Sequence, residues 1–298
     1  MYRSFFGIRS LPFGSSPDPR FLYVMPQIRE TLACLQYGIA SGKGFVMMTG
    51  EVGTGKTTLL KTVLQTFNKS RVSTAFVFNP RLDVLDFLEF VLTDFGVTPR
   101  ARTKSAMLIQ LNSWLIEQFR SDRVCVLVVD EAQNLSSELL EEIRLLTNLE
   151  TSSQKLLQIV LSGQPELEDK LRDPSLRQLR QRVSLWCRTR PLTAEETRAY
   201  VSERLRIAGS RESVFSREAL ECVHRHSSGI PRVINLICEH SLINAYVEQV
   251  KPIPGRLVDS VCEELLLDTQ PYLVLPAIDK PVNPSPVRAE RLKPFNRF

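Results

Sequence analysis

The feature that most constrains this chain is the sequence GEVGTGKTT at residues 50–58, which lies between an apolar run and a leucine-rich run. Its glycines let the backbone curl so that several N–H groups face one point, where they can bind phosphate oxygens. A helix that begins near Lys56 adds the positive end of its dipole. A strand before this loop and a helix after it are the context that phosphate binding requires. The chain is therefore predicted to bind a nucleotide.

The side chains of this loop have separate predicted roles. The Lys56 ammonium is expected to reach the β- and γ-phosphates, and the Thr57 hydroxyl to fill one coordination position of Mg²⁺. No NKxD-like motif that would read a guanine base follows the third predicted strand, so ATP and Mg²⁺ are the predicted cofactors. The predicted nucleotide-binding residues of the loop are Gly50, Glu51, Val52, Gly53, Thr54, Gly55, Lys56, Thr57 and Thr58.

Short apolar runs alternate with helical patterns between residues 40 and 190. The run VCVLVV is apolar at every position, as expected for a strand that is buried on both faces. This alternation is typical of βαβ units and predicts an α/β fold with a doubly wound, parallel, five-stranded sheet. The predicted strands cover residues 45–49, 73–78, 124–129, 157–162 and 183–187. The predicted helices cover residues 56–67, 82–95, 104–121 and 136–150.

Beyond residue 190 the pattern becomes purely helical. Thr193 and Glu196 form a capping box, Ser216 can cap the next helix, and residues 230–247 predict another. These helices predict a small, C-terminal, all-α lid. The predicted domains are an α/β nucleotide-binding domain at 1–190 with an N-terminal aromatic segment at 1–40, the helical lid at 191–268, and a proline-rich basic tail at 269–298.

The tail and the overall composition limit the class of protein. The tail has five basic and two acidic residues, so it holds +3 of the net charge of +5. We expect it to be disordered, either as a solvating linker or as a docking arm for an acidic partner such as anionic lipid or nucleic acid.

Apolar residues make up 43% of the chain, which excludes a wholly disordered protein. The six cysteines form no CxxC pair, which favours reduced thiols over a zinc site or disulfides.

Two adjacent carboxylates follow the third predicted strand. Asp130 is placed to hold Mg²⁺ through a water, and Glu131 to polarise the water that attacks the γ-phosphate. An acidic helix cap is the alternative, and the phosphate loop upstream favours hydrolysis. Gln164, at the tip of a strand predicted to lie beside these carboxylates, is favoured over Ser162 as a γ-phosphate sensor or water-orienting group. Ordinary turn formation is the alternative there.

Arginines supply candidate positive charges for the same site. Arg182 is favoured over Arg180 as an arginine finger given to the γ-phosphate of a neighbouring subunit, with a solvated basic face as the alternative. Pro231 fixes the direction of Arg232, which can cross from the lid to the nucleotide; a surface arginine is the alternative. The predicted catalytic residues are Glu131, Lys56, Arg182, Arg232 and Gln164, with Arg232 also binding nucleotide and Thr57 and Asp130 binding Mg²⁺.

The order of these motifs resembles that of the AAA+ ATPases, which are P-loop proteins with a helical lid. The longer blocks PDPRFLY, GEVGTGKTT, DEAQNLS, KLLQIVLSGQPEL and SSGIPRVIN are similar to the ATPase domain of the general secretion pathway protein A (ExeA/GspA-type) family. This resemblance extends over about residues 2–267. It implies that Lys56, Thr57, Asp130 and Glu131 carry out hydrolysis, with Arg182 and Arg232 as finger and lid sensor.

The resemblance also implies a biological role. It suggests an oligomer that energises or switches assembly of a secretion or envelope-export system, with a separately encoded membrane or export-complex protein as partner. Relatives include the ATPases of exopolysaccharide and exosortase-type export and, more distantly, Tn7-type transposition regulators. A DNA-binding regulatory ATPase of that class is the alternative, but the body of the chain has no basic stripe, so nucleic acid is not favoured. With no transmembrane segment or signal sequence, the expected location is cytoplasmic, or peripheral at the inner membrane.

Overall fold

A computed structural model describes residues 2–14, 18–67, 71–78, 82–152 and 154–267 of the chain. The proline-rich tail predicted at 269–298 lies outside the described residues. Within the described ranges, no helix combines the length and the apolar character needed to cross a membrane.

Five parallel strands form one sheet, as predicted. They are β1 (Phe45–Thr49), β2 (Val72–Val77), β3 (Val124–Val129), β4 (Leu157–Gly163) and β5 (Leu185–Arg188). Their order is β2-β3-β4-β1-β5, so β4 lies beside the strand that carries the carboxylates, as expected. The fifth strand begins two residues later than predicted, because a short helix continues through Arg182 and pairing with β1 begins at Ser184 N, which donates to Phe45 O.

Twelve α-helices are assigned in the described residues. They are α1 (Tyr2–Phe5), α2 (Pro26–Ala40), α3 (Lys56–Thr66), α4 (Val84–Asp94), α5 (Lys104–Arg120), α6 (Ser137–Leu146), α7 (Glu166–Lys170), α8 (Arg177–Arg182), α9 (Ala194–Ala208), α10 (Arg217–Ser227), α11 (Pro231–Val247) and α12 (Gly255–Glu264). Helix α6 ends four residues earlier than predicted, because the chain turns back there and Glu150 bridges to Lys155 in an antiparallel contact.

Helices cover both faces of the sheet. Along β3, Leu127 and Val129 join an apolar cluster with α4, α5 and α6, while Val126 and Val128 join a second cluster with α2 and α3. Strand side chains point alternately to the two faces, so a sheet covered on both faces needs apolar residues at every position. This doubly wound arrangement places the loops that follow β1, β3 and β4 at one edge, where ligands of such sheets bind.

Helices α9 to α12 pack around a separate apolar cluster and form the predicted all-α lid. The N-terminal side chains Phe6, Phe13 and Phe21 are buried in this same cluster. The backbone N–H of Arg9 also donates to Ala208 O, at the C-terminus of α9, at 2.6 Å. The N-terminal segment therefore packs with the lid, whereas α2, which follows it, packs on β1 and β5. The limits of the domains stay a prediction.

Candidate nucleotide-binding and hydrolysis site

The loop between β1 and α3 is shaped by its glycines. Gly55 adopts a φ of 94° immediately before the first residue of α3. A Cβ on Gly50 would lie 1.9 Å from Thr189 Oγ1, so only glycine lets the loop approach the segment that follows β5. At Gly53, which has a φ of 80°, the carbonyl accepts from the backbone N–H of Arg232 at 3.2 Å. The predicted phosphate loop therefore contacts the sheet, α3 and the lid together.

Lys56 lies within this loop and is buried, with 6% of its surface exposed. Its Nζ donates to the carbonyl oxygens of Gly50 at 2.7 Å and Glu51 at 2.9 Å. Burial lowers the pKa of Lys56, and the nearby carboxylates of Glu131 and Asp130 oppose that shift. A desolvated ammonium of this kind interacts strongly with anionic phosphate, because little water has to be displaced from it.

Thr57 and Asp130 meet across the site. Thr57 Oγ1 donates to Asp130 Oδ2 at 2.6 Å, and Asp130 itself is 4% exposed. The two residues come from the first turn of α3 and from the end of β3, so the sheet topology brings them together. A hydroxyl and a carboxylate are hard oxygen donors of the type that Mg²⁺ prefers. The pair predicted to bind Mg²⁺ is therefore adjacent in the structure.

Glu131 is held in an unusual backbone conformation. Its φ is 54°, in the left-handed region that few non-glycine residues adopt, and its N–H donates to Asp130 Oδ1 at 3.0 Å. Its Oε2 accepts from Gln133 Nε2 at 2.6 Å and from Gln164 Nε2 at 3.4 Å. In the described part of the chain, Oε1 accepts no hydrogen bond, so one carboxylate oxygen is fixed and the other is available.

Gln133 is a functional candidate that sequence reasoning missed. Besides holding Glu131, its Oε1 accepts from the backbone N–H of Gln164 at 3.1 Å, so it connects the ends of β3 and β4. The sequence shows a glutamine two positions after the glutamate in DEAQ, but this spacing alone does not predict the contact. Ser162, the weaker of the two strand-tip candidates, is fully buried within β4, and its Oγ has no hydrogen-bond partner among the described residues. The structure thus brings Gln164, and not Ser162, to Glu131.

A cleft of about 920 Å³ joins the phosphate loop to the lid. Its lining includes the loop, Glu131, the N-terminal segment, and a face of α11 that begins with Pro231 and Arg232. Arg232 lies beside Gly53, and a Cβ on that glycine would lie 2.8 Å from Arg232 Cβ. The structure therefore places Arg232 beside the phosphate loop, and its role toward the nucleotide stays a prediction.

Arg182 lies away from this cleft. Arg182 is the last residue of α8. The hydroxyl of Ser184, two residues later, donates to the carbonyl of Lys43, just before β1 begins. Its exposed guanidinium donates to Asn148 Oδ1 at 3.2 Å. The phosphate loop follows the other end of β1, about 16 Å away for five residues of strand. Of the predicted catalytic residues, Arg182 alone is not brought to the loop of its own chain.

Comparison with known proteins agrees with this architecture. A family model described as an AAA domain matches residues 39–171. The chain is 44% identical over 247 residues to general secretion pathway protein A of Aeromonas hydrophila. That match covers 83% of this chain and 45% of the relative, so the chain spans about half the length of the curated protein it matches.

Solved structures with the same fold include Cdc6p from Pyrobaculum aerophilum, with a TM-score of 0.67 and 19% identity, and the ORC2 protein of Aeropyrum pernix, with 0.64 and 17%. Each match covers 85% of this chain and 70% of the other. The RuvB Holliday junction branch migration motor of Thermotoga maritima matches 83% of this chain and 71% of its own, with a TM-score of 0.54 and 17% identity. These identities show the fold alone. The family model shows that this chain carries an AAA domain, and over most of its length the chain is similar to general secretion pathway protein A.

Proposed function

We propose that the chain binds ATP with Mg²⁺ and hydrolyses it to ADP and phosphate. The observation that carries this proposal is the 2.6 Å hydrogen bond between Thr57 Oγ1 and Asp130 Oδ2, beside the phosphate loop. One hydroxyl and one carboxylate suit Mg²⁺, which keeps several waters and binds substrate phosphates. When bound, the ion would neutralise charge that develops on the β- and γ-phosphate oxygens.

Residues of this chain supply the other steps. Lys56 exchanges its bonds to the loop carbonyls for bonds to phosphate oxygens. The oxygen of a water forms a bond to the γ-phosphorus, and the bond to the bridging oxygen breaks with its electron pair left on ADP. Glu131 Oε1 accepts the proton of that water, because Gln133 and Gln164 both donate to Oε2. Arg232 offers a positive charge from the lid to the phosphates of ATP.

Steady-state phosphate release with MgATP tests this chemistry. Lys56→Ala should lose both ATP binding and phosphate release. Glu131→Gln should bind ATP but release phosphate about 10²–10⁴-fold more slowly, the range for loss of a general base. Glu138→Gln removes an exposed carboxylate from α6 and should behave like the wild type. Equal release from the wild type and from both site variants would contradict the proposal.

Copies of this chain are proposed to complete each other's sites with Arg182. The support is the position of Arg182. It lies near the end of the sheet where the strands begin, its own phosphate loop lies at the end where the strands finish, and its guanidinium is exposed. A guanidinium in that place cannot reach the nucleotide of its own chain, but it is free to approach the γ-phosphate of a neighbour. Hydrolysis would then require an oligomer in which one edge of each copy faces the cleft of the next.

Mixing two inactive variants tests this arrangement. Arg182→Ala should bind ATP and fail to hydrolyse it, while Lys56→Ala still carries the finger. A mixture should recover part of the activity, because the finger of one variant meets the intact loop of the other. Arg217→Ala, which removes an exposed lid arginine, serves as the charge-matched control and should hydrolyse normally. A mixture without activity would contradict action between subunits.

The biological process in which the chain acts is proposed from the relative that it resembles. The proposed role is to energise or switch assembly of a secretion or envelope-export complex, from the cytoplasmic side of the inner membrane and with a separately encoded membrane or export protein. Deletion of the gene should reduce the amount of exported protein or polysaccharide outside the cell. The wild-type gene should restore it and Glu131→Gln should not. Normal export in the deletion strain would contradict this role.

A further inference from the structure

The cleft has a second end, beyond the phosphate loop, with apolar walls. The N-terminal segment, α2 and the segment before α9 supply these walls through Phe13, Phe21, Tyr23, Met25, Ile28 and Leu192. A planar group with apolar faces, such as a nucleobase, suits a chamber of this kind. Among the polar side chains that line the cleft, Asn235 of α11 follows Arg232 by three residues and lies about 4.5 Å farther along the helix axis.

Asn235 is held by hydrogen bonds that begin at Arg204. Arg204 NH1 donates to Tyr200 Oη at 3.0 Å, and Tyr200 Oη donates to Asn235 Oδ1 at 3.0 Å. Because a guanidinium can only donate, the tyrosine hydroxyl keeps its own proton for Asn235, and the amide must present its oxygen. In the described part of the chain, Asn235 Nδ2 donates no hydrogen bond, and it is not among the enclosed polar atoms that lack a partner. The amide nitrogen is therefore a fixed and accessible donor.

Arg204 is itself rigidly placed. It is 8% exposed, yet among the described residues it forms no ion pair with a carboxylate. It donates to Pro12 O at 2.6 Å and to Phe21 O at 3.5 Å. Its guanidinium also lies 5.0 Å from the ring centroid of Phe21 and 5.3 Å from that of Tyr200. Backbone carbonyls and aromatic faces thus satisfy a buried cation and fix the N-terminal segment against the lid.

We propose that Asn235 is a specificity contact for the purine base, donating Nδ2–H to a ring nitrogen, and that Arg204 and Tyr200 are positioning residues that hold it there. This inference rests on the proposed ATP binding. The ring nitrogens of adenine accept hydrogen bonds, and the fixed amide offers a donor from one wall of the chamber. The contact also couples base binding to the N-terminal segment, because Arg204 holds both.

Affinities for three ligands in the presence of Mg²⁺ isolate the base contact: ATP, ribose 5-triphosphate and tripolyphosphate. Asn235→Ala should weaken ATP binding about threefold to tenfold, as expected for one lost hydrogen bond. Tyr200→Phe keeps the ring against Arg204 and removes the hydroxyl, so it should weaken ATP binding about twofold to threefold. Neither variant should change the affinity for the two base-free ligands. Tyr246→Phe on α11 is the matched control and should leave all three affinities unchanged.

Each other outcome overturns a stated part of the inference. Equal losses for all three ligands would show that the substitutions only disturb the lid. Losses for ATP and ribose 5-triphosphate alike would assign Asn235 to the sugar, and unchanged ATP affinity would remove its role altogether. If the variants weaken ATP binding as expected but the wild type shows no hydrolysis, the base contact stands and the proposed ATPase activity fails. A wild type that binds none of the ligands would overturn both.

Discussion

The two ends of the cleft are built in different ways. The phosphate end comes from two short stretches, residues 50–58 and 130–133, which a parallel sheet brings to one edge. The base end comes from the N-terminal segment, α9 and α11, which are far apart in the chain and are joined through Arg204. A contiguous motif can be recognised in a sequence, because its spacing alone encodes its geometry. A pocket assembled by long-range packing leaves no such pattern.

The two ends also differ in how they hold charge. At the phosphate end Lys56, Asp130 and Glu131 lie close together, and burial lowers the pKa of the lysine against the effect of the two carboxylates. At the base end Arg204 is satisfied by neutral groups. Substitutions at the phosphate end should therefore change binding of a charged ligand and its chemistry. Substitutions at the base end should change stability and recognition of the base.

The largest effect is expected from a single methyl group at the phosphate end. Gly50→Ala places Cβ 1.9 Å from Thr189 Oγ1 and 2.8 Å from Thr189 O, so the loop must move. ATP affinity, measured by equilibrium binding, should fall by roughly 100-fold or more. Gly14→Ala adds the same methyl to a glycine that lines the other end of the cleft, where its Cβ meets nothing within 4 Å, and should bind ATP normally. Similar losses in both variants would remove the distinction between the ends.

The next effect concerns the orientation of the carboxylate. Gln133→Ala removes the 2.6 Å hydrogen bond to Glu131 Oε2 and the acceptor of the Gln164 N–H. The rate of hydrolysis should fall about tenfold to 100-fold while ATP affinity stays unchanged, since Gln133 orients a group that acts on the water. Gln178→Ala, an exposed glutamine of α8, is the control. A change in affinity without a change in rate would contradict a positioning role for Gln133.

At the base end we expect a loss of stability. Arg204→Met leaves the carbonyls of Pro12 and Phe21 without their donor and should lower the free energy of unfolding by about 2–4 kcal/mol. Urea denaturation measures this change. Arg206→Met, on the same helix but exposed and paired with Glu203, should lower it by less than about 1 kcal/mol. Equal effects would show that burial of Arg204 is unimportant.

The smallest effect is expected at the first turn of α9, where Glu196 forms the capping box with Thr193. Hydrogen bonds from Arg190 and from the Thr193 backbone lower the pKa of Glu196 from 4.5 to about 2. A carboxyl group with a lowered pKa stabilises the folded state above its unfolded pKa, and this contribution is lost as the pH falls through about 2. Glu196→Gln should lower the melting temperature at pH 7 by on the order of 1–2 °C. The difference should shrink between pH 4.5 and pH 2. A difference that is constant with pH would contradict this origin.

The sheet could be predicted because most of its strands lie in apolar runs, and the runs of β1 and β3 have clear ends. The predicted limits of β1 and β3 are confirmed, since the apolar runs stop at Gly50 and Asp130. The limits of β5 were wrong, because the preceding arginine-rich segment forms helix α8 and pairing with β1 begins only afterwards. Local sequence does not reveal at which residue a strand begins to pair with its neighbour.

The contact between Gln133 and Glu131 could not be read from spacing. It depends on the left-handed backbone of Glu131, which a non-glycine residue rarely adopts and which nothing in DEAQ announces. Arg204 was equally hidden, because an arginine in a charged helix is expected to be exposed. Its burial follows from Phe21, more than 180 residues away, which supplies both a carbonyl and a ring.

The N-terminal segment gives the lid a second attachment to the sheet, made on the lid side by packing and hydrogen bonds. One connection follows β5, and the other runs from the lid cluster through Met25 into α2, which packs on β1 and β5. A body attached at one point can swing in any direction, but a body attached at two points can only rotate about the line that joins them. We therefore expect the lid to open and close mainly by rotation about the line through these two attachments.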